Sequence, residues 1–425
     1  ESLEELNTDT GGCLHIIRGD TNNFIEELTR IIKKFKVKFL SMNLDYTKYA
    51  ISKDKIISDL CKENDIEFLY SKNDQIIGNI ENLSKDNGEP YKTFSHFFKK
   101  SEDTYPSIQF CKKGNYSKVN TNYFYPVENT NTSEALHELK IFTTSKISPR
   151  IVIKGGRNNT LSKLNISKKQ FIDLFENRDD LSEDRGLNIS AGLNFGCVSS
   201  RECIKIVYDI FKQKNCKEVE SFVKQMRWRD FYLCILYFSE ESREYKFLDD
   251  RFEKIKWRDV NTEEFREEWS DFINCETGCL LIDAAMSELK QTGFMNNRCR
   301  LLWSTFVVKY LQSNPFHPIY GGISLFSRYL IDCSTSQNKM NFEWIFSSLD
   351  ISGRRFSKKN QPPLSGRVIS ISNSMIKKYK AYNYIRKWLP KYSKLSDKEL
   401  LSIPEKINLS LRYNQYCELF RELRS

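Results

Sequence analysis

Apolar positions along residues 281–311 recur at helical spacing. Leu281, Ala284, Ala285 and Leu289 fall on one face, which predicts a helix with one side packed in a core. The Gln291–Thr292–Gly293 step ends it, and a second helical run extends from Met295 to Leu311. On that second run Asn297, Arg300 and Ser304 lie three to four residues apart and share a face. Asp332 and Asn338 follow in the next patterned stretch. Polar groups therefore converge inside an apolar region, where a buried arginine needs a carboxylate partner or an anionic ligand. Spacing alone is met as well by a helical bundle with one internal Arg–Asp pair.

The same patterning divides the chain. Residues 1–105 alternate short apolar runs with amphipathic segments: a strand over 13–19, an amphipathic run over 23–35, a strand over 36–43, a helix over 53–64 and a strand over 66–71. Strand–helix–strand order implies a parallel α/β sheet. Residues 106–160 are polar and weakly periodic and read as an interdomain linker on the surface. Residues 161–425 are dominated by helical patterns, opened by 187–201 and including a strongly apolar, aromatic helix over 218–238. Trp257 and Trp269 fall in charged connecting segments. Residues 345–375 form a basic loop, and terminal helices are expected over 385–389 and from 399 onward. No internal repeat is present. The α/β part lacks a Gly-rich dinucleotide fingerprint, which removes a Rossmann cofactor site.

Composition narrows the function classes. Of 425 residues, 40% are hydrophobic and 29% charged, which fits a globular rather than a disordered chain. The net charge of +10 suits a polyanionic partner. The 12 cysteines form no CxxC and there are only 4 histidines, so no metal site is expected. The cysteines read as small buried hydrophobes of a reducing compartment. No signal peptide and no long uncharged apolar run occurs, so the expectation is an intracellular protein, cytoplasmic or nuclear, without a membrane segment.

The stretches TGCLLIDAAMSELKQTGFMNNRCR (277–300) and LIDCSTSQNKMNFEW (330–344) closely resemble the flavin-binding core of the DNA photolyase/cryptochrome family. Weaker similarity extends over nearly the whole chain, and IRGD, LDYTKYA and NGEPYKTFSHFFKK resemble the family's N-terminal antenna domain. The overall pattern is most like a class I cyclobutane pyrimidine dimer photolyase. The resemblance implies an α/β antenna domain followed by an all-helical domain holding FAD. The implied activity is light-driven repair of cyclobutane pyrimidine dimers in DNA, by electron transfer from excited reduced FAD to a flipped-out dimer. A folate or deazaflavin antenna and a monomeric state are implied with it. Family members usually carry one more strand and helix before this point, so a trimmed start is expected.

Matched residue by residue, Asn297, Arg300, Asp332 and Asn338 fall at flavin-cavity positions, with Arg300–Asp332 beside the isoalloxazine and Asn338 opposite its N5. A nearby cation favours a flavin that carries negative charge. Trp228 and Arg229 match the family's Trp–Arg pair, the tryptophan against the lesion and the arginine near the cofactor. Trp344 matches the second tryptophan of the family's WxW and would clamp the flipped dimer with Trp228. Ser190 matches a serine of the diphosphate-binding phrase, and Asn188 contributes there. Arg298 together with Arg354, Arg355, Lys358 and Lys359 would meet DNA phosphates.

Several positions depart from the family pattern. Gln225 stands for an acidic residue that contacts the damaged base, and an amide can donate and accept but cannot ionise. Gly186 and Leu187 replace a Thr–Ser pair, Ser334 replaces a second acidic residue, and Leu301 replaces a methionine at the lesion contact. Asn296–Asn297 stands where the (6-4) subgroup has its paired histidine, which favours the cyclobutane lesion. Phe342 occupies the position of the flavin-proximal tryptophan of the light-driven reduction chain. The middle tryptophan is not evident, with Phe316 and Tyr320 the nearest aromatics. Trp257 is the plausible distal member, and Trp303 and Trp344 are the first substitute donors. Two alternatives stay open: a cryptochrome-type photoreceptor without repair, and a flavin-free nucleic-acid-binding protein on the same fold.

Overall fold

A computed structural model describes residues 1–12, 14–17, 21–71, 75, 78–110, 134–138, 153–183, 186–212, 216–346 and 369–422. The basic residues Arg354, Arg355, Lys358 and Lys359 lie outside them.

The N-terminal part is a small α/β unit. Helices α1 (Ser2–Asp9) and α2 (Thr21–Phe35) precede strand β1 (Phe39–Asn43), helix α3 (Lys48–Glu63) and strand β2 (Glu67–Ser71). The strands run parallel, pairing Phe39 with Glu67 through Asn43 with Ser71. Leu40 and Met42 alternate inward and pack with Phe68 against Ile32, Ile57 and Cys61, the period-2 burial expected of a half-covered strand. Thr47 caps α3 by accepting the Ala50 N–H at 3.3 Å. The strand expected over 13–19 is not found at 14–17, which lie in irregular backbone; the rest of that stretch is outside the described residues.

Helix α4 (Phe94–Thr104) leaves this unit and packs on the helical body. Phe94 and Phe97 share a core with Phe171, Val207, Phe222, Phe231 and Ile235. That body comprises α5 (Arg157–Ser162), α6 (Lys168–Glu176), α7 (Ser190–Asn194), α8 (Ser200–Phe211), α9 (Lys217–Phe238), α10 (Glu263–Asn274), α11 (Leu280–Thr292), α12 (Asn297–Thr305), α13 (Gly322–Tyr329), α14 (Thr335–Phe346), α15 (Tyr382–Trp388) and α16 (Leu409–Glu422). A second, larger core holds Trp269, Leu281, Ala285, Leu289, Trp303, Phe306, Phe326 and Phe342.

The patterned run 281–311 behaves as expected up to its far end. Asp283 accepts from the Thr277 hydroxyl (2.7 Å) and from the amides of Thr277 (3.1 Å) and Gly278 (3.0 Å), which ties down the entry to α11. Gly278 has φ +77, and a Cβ there would lie 2.3 Å from the Pro404 carbonyl oxygen. The next helix does not run unbroken to Leu311: it starts at Asn297, and Phe306–Tyr310 forms a π turn. Trp269 is not in a connecting segment. It lies within α10 and is buried, because α10 turns its aromatic face inward and its charges outward. None of the helices is long and apolar enough to cross a membrane, and no cluster of potential metal ligands occurs, among the described residues.

Candidate functional site

Five segments, within 174–179, 186–194, 222–232, 294–301 and 332–344, meet around a cavity of about 650 Å³, a volume within the range of cofactor and ligand sites. Its walls include Ser190, Asn188, Gln225, Trp228, Arg229, Asn297, Arg298, Arg300, Asp332, Asn338 and Trp344. Every described residue matched to the cofactor or DNA site borders this one space; Ser304, which shares the helical face of Asn297 and Arg300, does not, being buried in α12.

Helical register places these groups. On α9, Gln225, Trp228, Arg229 and Tyr232 fall at i, i+3, i+4 and i+7 and form one stripe, while Phe222 and Met226 extend it. On α14, Gln337, Asn338, Asn341 and Trp344, at i, i+1, i+4 and i+7, share the side that lines the cavity. The opposite side of α14 carries Lys339 and Glu343, both fully buried, 3.5 Å apart. Lys339 also donates to the Lys246 carbonyl, and Glu343 accepts the Leu248 amide at 3.2 Å, which secures the helix that presents Asn338.

The charged centre is set by a glycine. Gly293 ends α11 with φ +69, and its carbonyl accepts the Ile331 amide at 2.8 Å. A Cβ at Gly293 would meet Ile331 Cγ2 at 2.7 Å. This contact brings Asp332 beside α12. Arg300 Nη2 donates to both Asp332 oxygens, at 3.0 and 2.8 Å, and Arg300 Nε donates to the Met295 carbonyl at 2.8 Å. The Arg300 guanidinium also lies 5.3 Å from the Phe294 ring centroid.

The Ser190 hydroxyl donates to Asp332 Oδ2 at 2.6 Å, which joins the start of α7 to the Arg300–Asp332 pair. Asn188 has the left-handed φ of 49°, and its carbonyl accepts from Lys163 Nζ at 2.9 Å. Lys163 was not singled out in the sequence; it lies on the loop after α5 with no motif around it. Asn338 Nδ2 donates to Cys333 Sγ at 3.3 Å. Burial pushes the Cys333 thiol up, keeping it neutral beside this amide.

At the mouth, Arg298 is already paired, donating to Asp179 Oδ1 at 2.5 Å. Asp179, Arg178 and Phe175 come from the end of α6 and the turn after it, which no spacing signal connects to the rest. Trp228 and Trp344 both border the cavity and are half-buried. A second cavity, of about 140 Å³, lies beside Glu288, Tyr384 and Lys387 and shares Phe294 and Asn296 with the first.

The donor set fits FAD: an Arg–carboxylate pair in which one guanidinium nitrogen donates to both oxygens, amides at Asn297 and Asn338, a hydroxyl at Ser190 and aromatic side chains, all lining one cavity. No site for an antenna chromophore is assigned among the described residues.

Comparison with known proteins agrees with this arrangement. The family described as the FAD binding domain of DNA photolyase matches residues 222–420, and the family described as DNA photolyase matches residues 1–113. The deoxyribodipyrimidine photo-lyase of Buchnera aphidicola subsp. Baizongia pistaciae is 25% identical over 372 residues, covering 85% of this chain and 71% of the relative. The class III photolyase of Agrobacterium tumefaciens superposes with a TM-score of 0.73 at 18% identity, covering 100% of this chain and 87% of that one. The cryptochrome of Synechocystis gives 0.68 at 18% identity, over 94% and 81%. With both parts matched, residues 1–113 and 222–420, this chain belongs to the DNA photolyase/cryptochrome family.

Proposed function

We propose that this protein is a light-driven DNA repair enzyme, a deoxyribodipyrimidine photo-lyase, that acts as a monomer on cyclobutane pyrimidine dimers with FAD in the cavity described above. The observation that carries this reading is the placement of the Arg300–Asp332 pair and Asn338 within the same cavity as Trp228 and Trp344. When bound, reduced FAD supplies the electron that light sets free.

The remaining work belongs to the protein. Arg300 holds positive charge at the cavity wall, and Asp332 fixes its plane. Asn338 offers a neutral amide that its contact with Cys333 holds in place. Trp228 and Trp344 present aromatic surfaces to flipped-out bases, and stacking on the indoles replaces stacking within the duplex. Gln225, three residues before Trp228 on the α9 stripe, hydrogen-bonds the pyrimidine edge without changing charge. Arg298 exchanges Asp179 for a DNA phosphate at the mouth. Asn296–Asn297, in place of a paired histidine, leaves no imidazole to protonate a (6-4) lesion, which favours the cyclobutane substrate.

The test is a repair assay with chemically reduced, FAD-loaded protein under blue light and in darkness. Oligonucleotides with a cyclobutane dimer should be restored in light alone, and those with a (6-4) lesion should persist. Repair of the (6-4) lesion would overturn the assigned substrate. Repair of neither, with FAD bound, would return the photoreceptor reading.

A further inference from the structure

We propose that Phe94, at the start of α4, is the positioning residue for Trp228, so that the N-terminal third of the chain takes part in damage recognition; this rests on the reading of the cavity given above. The two rings lie face to face, with centroids 3.8 Å apart and planes inclined by 5°. Rings this close and this nearly parallel touch over their faces, so the packing that holds Phe94 also fixes Trp228.

That packing is visible. Phe94 is 4% exposed. Phe231 lies 5.6 Å from Phe94 and 5.5 Å from Trp228, edge-on to both, so it braces the side of the stack rather than its far face. Phe97, one turn along α4, packs on Phe231 at 5.1 Å. The neighbouring Arg227 is buried, lies 4.7 Å over the Phe98 ring, donates to Ser101 Oγ at 3.3 Å and approaches Glu102 at 3.5 Å. Burial pulls the Arg227 pKa down, and the charge of Glu102 opposes that shift. Helix α4 is thus clamped to α9 on either side of Trp228.

The consequence concerns the indole. Phe94 covers one face of a ring that also borders the cavity. Of the other rings around Trp228, Phe231 meets it edge-on and Tyr232 meets it tilted by 56° at 5.6 Å, so the face opposite Phe94 is the one assigned to a planar base. Phe94 sets the angle of that face and limits its motion, so an incoming base meets a ring already ordered rather than one that must be ordered on binding.

Phe94→Leu removes the stack while keeping an apolar side chain; Phe94→Met, of similar volume, serves if the leucine variant does not fold. Affinities for dimer-containing and undamaged duplexes are measured for FAD-loaded proteins. The variant's preference for damaged DNA should fall roughly two- to tenfold, the worth of one aromatic pair, with affinity for undamaged DNA unchanged. Phe97→Leu, altering a ring that meets Phe94 and Phe231, should leave the preference in place. In parallel, 5-fluorotryptophan-labelled protein gives a 19F resonance for Trp228, identified by its loss in Trp228→Phe. It should shift in Phe94→Leu as the ring current of Phe94 disappears. An unmoved resonance overturns the positioning claim. A moved resonance with full damage preference overturns its role in recognition. A wild type without damage preference overturns the repair reading itself, and the resonance then still decides whether Phe94 positions the ring.

Discussion

Asp332 shows how much rests on single side chains here. It accepts from Arg300 twice and from Ser190 once, and is 6% exposed. Asp332→Asn keeps the shape but leaves the guanidinium without its counter-charge, a change that costs about 3 kcal/mol or more when a buried pair is broken. The variant should lose FAD during purification and melt at a lower temperature; bound-flavin absorbance and a thermal melt check both. Retention of FAD at an unchanged melting temperature would show that the pair is not what holds the cofactor. At this scale the sequence was informative where spacing and polarity coincide. Arg300 and Asn297 stand one turn apart on a patterned helix, and an internal arginine demands a carboxylate. It was uninformative about partners: nothing in the order of residues tells that Ser190 spends its hydroxyl on Asp332, or that Arg298 finds Asp179.

Between elements, the π turn at Phe306–Tyr310 has the clearest consequence. It turns Lys309 into the core, with Nζ 5.5 Å from the Tyr416 ring centroid, and burial lowers its pKa to about 7. The folded chain therefore sheds this proton near pH 7, and the unfolded chain near 10.5, the ordinary value for lysine. Over that window the unfolded state holds more protons, so this group makes stability rise with pH. Lys309→Met should raise the melting temperature at neutral pH and flatten its rise above pH 7, as read from melts taken across that range. A variant that melts earlier at every pH would mean that the ammonium is better satisfied than its burial suggests. The same region offers an aromatic route from Phe342. Phe326 lies 5.9 Å from Phe342 and 4.6 Å from Trp303, followed by Phe272 at 5.3 Å, Trp269 at 5.4 Å and Tyr320 at 5.4 Å. Trp257 instead stacks on Phe247, which meets Phe316. Because phenylalanine is hard to oxidise, the tryptophans are the stations such a route would use. Trp303→Phe should slow photoreduction of oxidised FAD severalfold and Trp257→Phe should not, by transient absorption; the reverse order would place the route through Trp257.

The whole molecule decides how DNA is met. Positive charge and stacking surface come from different parts of it: Arg298 from α12 at the mouth, Trp228 from α9 with α4 behind it. Arg298→Ala should weaken binding to any DNA and lower the salt slope by roughly one unit, if Arg298 makes the one phosphate contact proposed for it. Trp228→Ala should leave the slope alone and cost damage preference, within the ~1–3 kcal/mol that stacking on one base is worth. Titrations at several salt concentrations on damaged and undamaged duplexes separate the two effects. An equal loss on both substrates for Trp228→Ala would count against its place at the lesion.

The sequence by itself determined the helix that carries Leu281 to Leu289, the presence of a second helix with its Asn297–Arg300 face, the parallel strand–helix–strand order of the first part and the family to which both halves belong. These follow from local rules: period, breaker residues and ordered motifs that survive at low identity. Other features were decided by the tertiary structure alone. Asp179 reaches Arg298 across 119 positions, Ser190 reaches Asp332 across 142, and Phe94 reaches Trp228 from another part of the chain. None has a periodic or motif signal, because each depends on where a turn releases one segment against another. The strand expected over 13–19, absent at the described residues 14–17, and the unbroken helix to Leu311 failed for the same reason. An apolar run states that residues are to be buried, but the neighbours that bury them choose whether the backbone is extended, helical or opened into a π turn.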